Sequence, residues 1–249
     1  MKEQDRQRAI RLKLSRMECH RAAPAIPTGF MPLDAALGVG GFPRGRMVEL
    51  FGPSSCGKTT LAIQSIAHLQ KSGGTAAWID ADHTFDPAYA GQLGVVVERL
   101  PVAQPESAEQ ALEIARQLAG SNAVDLLVVD SAAALVPSLE LETGIGASGP
   151  GLHSRVLASG LRRLGMVLAR TGTAVVFLNQ TRTRLEPSGG QAETSAGGPP
   201  LKLYAAVRIA LCPAAGRRVR FRVLKNKVAQ SFAEGELEWT DGRGFAESP

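Results

Sequence analysis

Residues 48–60 read Val48-Glu49-Leu50-Phe51-Gly52-Pro53-Ser54-Ser55-Cys56-Gly57-Lys58-Thr59-Thr60. The segment contains the pattern G-x-x-x-x-G-K-T, with an apolar run before it and helical periodicity after it. A strand, a phosphate-binding loop (P-loop) and a helix are therefore predicted here. The backbone N–H groups of such a loop surround a triphosphate, and the positive end of the following helix dipole adds to the attraction.

Two side chains of this loop have predicted roles of their own. Lys58 reaches the β- and γ-phosphates, and the Thr59 hydroxyl ligates Mg²⁺. The alternative is a glycine-rich turn with an incidental lysine, but the flanking strand and helix favour the P-loop. ATP and Mg²⁺ are the predicted cofactors, and the predicted nucleotide contacts are Gly52, Pro53, Ser54, Ser55, Cys56, Gly57, Lys58, Thr59 and Thr60.

Composition sets broad limits on the class of protein. The chain has 249 residues, 44% of them hydrophobic, which fits one large α/β domain with a short appendage. Charges interrupt every apolar run, and the basic N-terminus lacks the apolar core of a secretory signal, so a cytoplasmic location is expected. Cys19, Cys56 and Cys212 fit neither a disulfide framework nor a zinc site. The net charge of +5 favours a polyanionic partner.

The apolar pattern predicts an α/β fold with a mostly parallel sheet and helices on both faces. Short apolar runs at 46–51, 75–79, 126–129 and 174–178 predict buried strands, which alternate with helical segments. Beyond Leu201, closely spaced strands predict antiparallel hairpins at one edge of the sheet. Residues 1–22 predict a basic amphipathic helix, and 22–32 a proline-containing linker.

Polar residues end three of the predicted strands. Asp130 follows an apolar run as a Walker B carboxylate does, so it is expected in the Mg²⁺ shell beside Thr59, where it contacts the ion through water. Asp80 and Asp82 follow another strand, and either could polarise the water that attacks the γ-phosphate. Gln180 ends a third strand and could sense that phosphate. Each could instead simply cap its strand.

Two loops are candidates for a nucleic-acid contact. Residues 181–198 lack apolar periodicity and predict a long structureless loop, which is usually functional or disordered. The glycine-rich residues 143–151 precede a helix that carries Arg155, Arg162 and Arg163. Mobile loops flanked by arginines suit a phosphate backbone. Solvated loops would have the same composition, and spacing alone does not separate the two interpretations.

From Ile26 to about Phe245 the chain resembles the core of the bacterial RecA recombinases. The matching segments occur in family order, and most of them flank the predicted strands. They are Thr28-Gly29 to Asp34, residues 36–41, the P-loop, Ile79-Asp80-Ala81, Asp86-Pro87 with Tyr89, Val128 to Ser131, Asn179-Gln180, Gly197-Gly198 and Lys225-Asn226-Lys227.

The resemblance implies roles around the nucleotide. Asp130 is the Walker B acid, Asp86 and Tyr89 hold the adenine by a hydrogen bond and by stacking, and Gln180 senses the γ-phosphate. Lys225 and Lys227 reach the γ-phosphate of a neighbouring subunit, so that ATP is bound between protomers of a homo-oligomeric filament.

The resemblance also implies single-stranded DNA as a partner. Loops 143–151 and 181–198 correspond to the two DNA-binding loops of the family. The implied DNA-binding residues are Arg155, Arg162, Arg182, Arg184, Gly197 and Gly198. The N-terminal residues 1–25 correspond to a short arm that links protomers, and 26–249 to the ATPase core. The C-terminal DNA-gathering domain of full-length recombinases is expected to be missing.

Several positions depart from the family pattern. Asp82 stands where the family has its catalytic glutamate, which pulls the carboxylate back by about 1.5 Å and predicts slow hydrolysis. Lys58, Asp82, Gln180, Lys225 and Lys227 form the expected catalytic set. Apolar wedges that separate base triplets are replaced by Pro150, Ser188 and Gly189, and an interface aromatic is replaced by Leu203.

Two functions follow as expectations. The first is ATP-dependent binding of single-stranded DNA in homologous recombination, repair and the SOS response, with a slow DNA-dependent ATPase activity. The second is a degenerate paralogue that binds ATP and acts as an accessory factor in damage-induced translesion mutagenesis. RecA or a translesion polymerase would then be its partner. A P-loop small-molecule kinase lacks a lid or acceptor-binding signature here.

Overall fold

The computed structural model describes residues 25–143, 151–185 and 191–246. One large sheet has the strand order β12-β11-β10-β9-β3-β7-β6-β4-β5, with β8 paired to β7, and a two-strand sheet joins β1 and β2. The strands are β1 Ala25–Ile26, β2 Phe42–Pro43, β3 Met47–Gly52, β4 Ala76–Asp80, β5 Val102–Ala103, β6 Leu126–Asp130, β7 Ala174–Leu185, β8 Gln191–Ser195, β9 Val207–Ala214, β10 Arg218–Asn226, β11 Glu234–Thr240 and β12 Gly244–Phe245.

The centre of the sheet is parallel. Strand β3 pairs with β7 on one side and with β9 on the other, and β6 and β4 continue the parallel set beyond β7. Strands β9 to β12 pair antiparallel and form the other edge. The parallel strands therefore present their carboxyl ends along one edge of the sheet, where ligands of open α/β sheets bind.

Helices cover both faces of the parallel strands. They are α1 Met31–Leu37, α2 Lys58–Lys71, α3 Pro87–Gln92, α4 Ala108–Gly120, α5 Ser138–Glu142, α6 Leu152–Leu168 and α7 Pro199–Tyr204. Helices α1 and α2 pack into one apolar cluster, and α4 and α6 pack into a second. Strand β6 alternates between the two, since Leu126 and Val128 face the first cluster and Leu127 and Val129 the second. In the described part of the chain, no helix is both long and apolar enough to cross a membrane.

The predicted fold class is confirmed, including the antiparallel C-terminal edge. The prediction of a structureless loop over 181–198 is wrong for most of its length. Strand β7 continues to Leu185 and pairs antiparallel with β8, so that Thr181 lies opposite Ser195. This hairpin escapes a periodicity search because its residues lie beyond the core and need no apolar face. The predicted N-terminal helix lies outside the described residues, as do most of 143–151 and the wedge positions Pro150, Ser188 and Gly189.

Candidate nucleotide-binding site

The P-loop connects the carboxyl end of β3 to the start of α2, and its glycines are required by close approaches. Gly57 has a φ of +87°, and a Cβ there would lie 2.5 Å from the Phe245 ring. A Cβ on Gly52 would lie 2.4 Å from the carbonyl oxygen of Leu211. Any larger residue at either position would push the loop away from β9 or β12.

Lys58 is the first residue of α2, and its amine lies inside the loop. The Nζ donates to the carbonyl oxygens of Gly52 at 3.1 Å and Pro53 at 2.7 Å. It also lies 3.7 Å from the Cys56 Sγ. Cys56 is buried, which raises the pKa of its thiol despite the lysine nearby. The loop therefore places one ammonium group among backbone carbonyls, next to an uncharged thiol.

Asp130, at the carboxyl end of β6, meets the P-loop helix. Its Oδ2 accepts a hydrogen bond from the Thr59 Oγ1 at 3.1 Å. Burial, followed by the charge of Asp82, raises the pKa of Asp130 to about 6, and the Thr59 hydrogen bond opposes that rise. A cation beside this buried carboxylate would stabilise its ionised form, which burial and Asp82 disfavour.

The oxygens of Thr59 and Asp130 fit a Mg²⁺ ion that is bound together with a nucleotide. In the described residues, no group of three or more His, Cys, Asp or Glu side chains could hold a metal ion by itself. Mg²⁺ in phosphate-transfer sites takes one or two protein oxygens and completes its shell with water and phosphate. Thr59 would supply a protein oxygen directly, and Asp130 would contact the ion through one of its water ligands.

The two competing aspartates after β4 have different surroundings. Asp80 is fully buried and accepts hydrogen bonds from the N–H groups of Thr84 and Phe85 and from Gln104. Asp82 is half-buried, and its Oδ1 accepts a hydrogen bond from the Ser131 hydroxyl at 3.1 Å. Asp80 thus holds the turn after β4 together, and Asp82 remains the candidate for orienting a water.

Gln180 lies beside the P-loop. Its Cα is paired in register with that of Gly52 on the neighbouring β3, and its side chain is exposed. Its N–H donates to the Asn179 Oδ1 at 2.9 Å, and its carbonyl oxygen accepts from the N–H of Ala196 at the same distance. The backbone of Gln180 is therefore tied to Asn179 and Ala196, while its exposed side chain lies at the carboxyl edge, where a ligand would bind.

Asp86 and Tyr89, the two residues implied in adenine binding, lie at helix α3. Asp86 caps the helix, since its Oδ1 accepts from the N–H groups of Ala88 and Tyr89. The Tyr89 hydroxyl lies 2.8 Å from the Thr60 Oγ1. This contact places the tyrosine ring next to the P-loop helix α2, whereas the Asp86 carboxylate caps the amino end of α3.

Part of the implied DNA-binding set lines one cavity of about 690 Å³. Arg182, Gly197 and Gly198 lie in its wall together with His153 and Lys202, two residues that the sequence did not single out. The Nε2 of His153 is buried without a partner. Arg155 and Arg162 are exposed on α6 outside this wall, and the backbone of Arg184 lies in β7 opposite Ala192.

Lys225 and Lys227 lie away from the P-loop of their own chain. Lys225 is paired in register with Arg208, which is level with Glu49 in the middle of β3, three residues before Gly52. Its Nζ donates to the carbonyl oxygens of Lys202 and Leu203 at the end of α7, at 2.6 and 3.0 Å. Burial, and then the charge of Lys227, lowers the pKa of Lys225. Leu203 itself is 65% exposed.

The three arginines of β10 take no part in the site. Their side chains alternate with the buried Val219, Phe221 and Val223, and they pair with carboxylates of β11. The paired residues are Arg218 and Arg220 with Glu236, and Arg222 with Glu234. These arginines form the solvent face of an amphipathic strand.

A parallel sheet whose central strand leads through G-x-x-x-x-G-K-T into a buried helix defines an α/β protein of the P-loop class. Comparison with known proteins narrows the class. A model of the RecA N-terminal domain matches residues 3–246, and the chain therefore belongs to the RecA family.

Relatives named RecA support the same assignment. The chain is 51% identical over 230 residues to Protein RecA of Thermus thermophilus, which covers 88% of this chain and 68% of that one. It is 46% identical over 244 residues to Protein RecA of Chloroflexus aurantiacus, covering 94% of this chain and 70% of that one. Protein RecA of Frankia casuarinae is 47% identical over 231 residues, or 89% and 67% of the two chains.

Proposed function

We propose that this protein binds ATP with Mg²⁺ and, in that state, binds single-stranded DNA in homologous recombination and DNA repair. One observation carries the proposal. The strand that borders the P-loop is the strand that continues into the β7–β8 hairpin, since Gln180 lies level with Gly52 and Arg182 follows two residues later. A nucleotide at the P-loop and a nucleic acid at the cavity beside Arg182 would thus act on one continuous segment.

The same proposal places ATP between two protomers of a filament. The register places Lys225 two strands away from β3, level with Glu49, which is three residues before Gly52. The Cα atoms of Lys225 and Gly52 are therefore roughly 14 Å apart. The amine of Lys225 is also directed towards α7, away from the P-loop. Lys225 and Lys227 are therefore assigned to the nucleotide of a neighbouring copy, where they would stabilise the charge of the γ-phosphate.

Hydrolysis is proposed to be slow. Asp82 carries the water-orienting carboxylate on a side chain one methylene shorter than glutamate, and its Oδ1 already accepts from Ser131. A reacting water held about 1 Å from its best position can lose on the order of 100-fold in rate. Binding of ATP, rather than its cleavage, would then control DNA binding.

The test is the binding of fluorescently labelled single-stranded DNA, measured by anisotropy with ATP, with ADP and without nucleotide, over a salt series. The expected result is cooperative binding that requires ATP and weakens steeply with salt, because phosphate contacts release counterions. Binding that ignores the nucleotide would contradict the proposal. Lys58→Ala is the matched control, since it removes the phosphate contact and should remove the ATP dependence.

The alternative function is an ATP-binding accessory factor in damage-induced translesion mutagenesis, acting on RecA or a polymerase. Asp82 is the observation that favours it, because such a factor needs bound ATP but no turnover. The same experiment separates the two, since this alternative predicts tight ATP binding with no DNA binding in any nucleotide state.

A further inference from the structure

Two buried polar side chains, Glu49 and Asn179, and the mostly buried Arg208, which is 15% exposed, connect the strands on either side of the P-loop strand. Glu49 in the middle of β3 and Asn179 near the P-loop edge on β7 are both 0% exposed. The Glu49 Oε1 accepts from the Asn179 Nδ2 at 2.9 Å, and its Oε2 accepts from the Arg208 Nε of β9 at 2.5 Å. We call Glu49, Asn179 and Arg208 the strand-bridging triad.

The triad also holds the end of the β7–β8 hairpin. The Asn179 Nδ2 donates to the carbonyl oxygen of Ala196 at 3.0 Å, and the Arg208 Nη2 donates to the Ser195 hydroxyl at 3.2 Å. The Asn179 Oδ1 accepts from the backbone N–H of Gln180. Every polar group of Asn179 is therefore used to join Gln180, the hairpin end and β3.

Stability alone does not call for this arrangement. Glu49 is a fully buried charge in an apolar strand, and a well-packed apolar set usually matches or exceeds a buried ion pair in stability. What the triad adds is a fixed geometry, because the guanidinium of Arg208 is held by Glu49 on one side and lies 4.7 Å from the centre of the Phe51 ring. Removing Glu49 would take away the group that joins Asn179 to Arg208.

We infer that Glu49 and Arg208 are positioning residues that couple Gln180 to the β7–β8 hairpin. A displacement of Gln180 by a bound γ-phosphate would move Asn179, which is tied to Ala196, while Arg208 ties Ser195 to the same carboxylate. The hairpin end then follows the nucleotide state as one unit. This inference rests on the proposed function, since it names how the nucleotide site regulates DNA binding.

Lys225 lies near the same charges. Burial and Lys227 lower the pKa of Lys225 most, Arg208 lowers it further, and Glu49 opposes them. Lys225 is also paired in register with Arg208, so the triad is next to the lysine assigned to the neighbouring nucleotide.

The test compares single-stranded DNA affinity with a non-hydrolysable ATP analogue and with ADP, and takes the ratio. Glu49→Gln keeps the shape of the side chain but removes the charge that holds Arg208. We expect this variant to lower the ratio of the two DNA affinities about fivefold or more, which is within the usual range of allosteric coupling. The affinity of the variant for the nucleotide ADP should stay within twofold of that of the unmodified chain. Asp125→Asn is the matched control, because it removes the carboxylate of the Arg44–Asp125 pair at the opposite edge.

A purely structural role predicts a different result. Both Glu49→Gln and Asp125→Asn would then lower the melting temperature and leave the ratio unchanged, which would overturn the inference. Arg208→Lys is a milder second variant that keeps the buried charge but cannot reach Glu49 and Ser195 together. It should lower the ratio by a smaller factor, and a wild-type ratio in that variant would also count against the triad.

Failure of the proposed function looks different again, since the unmodified chain would then show no nucleotide-dependent DNA binding. Hydrogen exchange of residues 181–195 with the ATP analogue and with ADP decides the inference in that case. Nucleotide-dependent protection that is lost in Glu49→Gln would support it. Protection that persists in Glu49→Gln, or that is absent from the unmodified chain, would refute it.

Discussion

Asp130 should make the stability of the metal-free protein depend on pH. The folded-state pKa of about 6 exceeds the ordinary value of 3.8. The folded state therefore binds more protons between these values, and the carboxyl contributes stability that is present below pH 3.8 and lost as the pH rises through 6. The difference of about 2.2 corresponds to roughly 3 kcal/mol over the whole window, of which about 1.4 kcal/mol falls between pH 5 and pH 8.

The Asp130→Asn variant isolates this contribution from other titrating groups. Its free energy of unfolding, minus that of the unmodified chain, should rise by about 1.4 kcal/mol from pH 5 to pH 8. Urea denaturation in EDTA measures both free energies. At pH 8 the asparagine variant should be the more stable of the two, because no charge is forced into the site.

Two further measurements sharpen this test. Asp82→Asn removes the neighbouring charge, so the window should shift to lower pH. Mg²⁺ with nucleotide favours the carboxylate and should flatten the pH dependence of the unmodified chain. A difference between the two chains that stays constant from pH 5 to pH 8 would refute the raised pKa of Asp130.

Three other variants have expected outcomes. Asp82→Glu should raise DNA-stimulated phosphate release by roughly 10- to 100-fold, because it returns the missing methylene; an unchanged rate would remove the explanation for slow hydrolysis. Lys225→Ala should abolish cooperative DNA binding in the anisotropy assay while ADP affinity stays within twofold, and intact cooperativity would contradict its assignment to a neighbour. Gln64→Leu should cost about 3 kcal/mol in urea denaturation, because three hydrogen bonds to the backbone of Arg243 and Phe245 are lost; a loss below about 1 kcal/mol would show that water replaces them.

The parallel core was predictable because burial on both faces leaves an uninterrupted apolar run in each strand. Leu126–Asp130 shows this, since apolar residues lead directly to the one carboxylate at the edge. The positions of Lys58 and Thr59 were predictable because phosphate binding by a P-loop requires these residue types at a fixed distance from the first glycine.

Residues that act through tertiary contacts were not predictable in the same way. The residue pattern alone left Asp80 and Asp82 as equals, and only the family resemblance favoured Asp82. The hydrogen bonds that Asp80 accepts from Thr84, Phe85 and Gln104 supply the physical reason for the difference. Glu49 was visible as a carboxylate inside an apolar strand, which is an unusual place for a charge. Its partners lie 130 and 159 positions away, and no local pattern connects them.

The separation of Lys225 from the P-loop of its own chain has a consequence for how the protein behaves at different concentrations. If each nucleotide needs a lysine from another molecule, activity per molecule should vanish on dilution and rise as copies accumulate. A freshly diluted protein would hold ATP and do nothing with it. The strand order β10-β9-β3-β7, which separates Lys225 from the P-loop, would thereby make the activity of each molecule depend on the concentration of the protein in the cell.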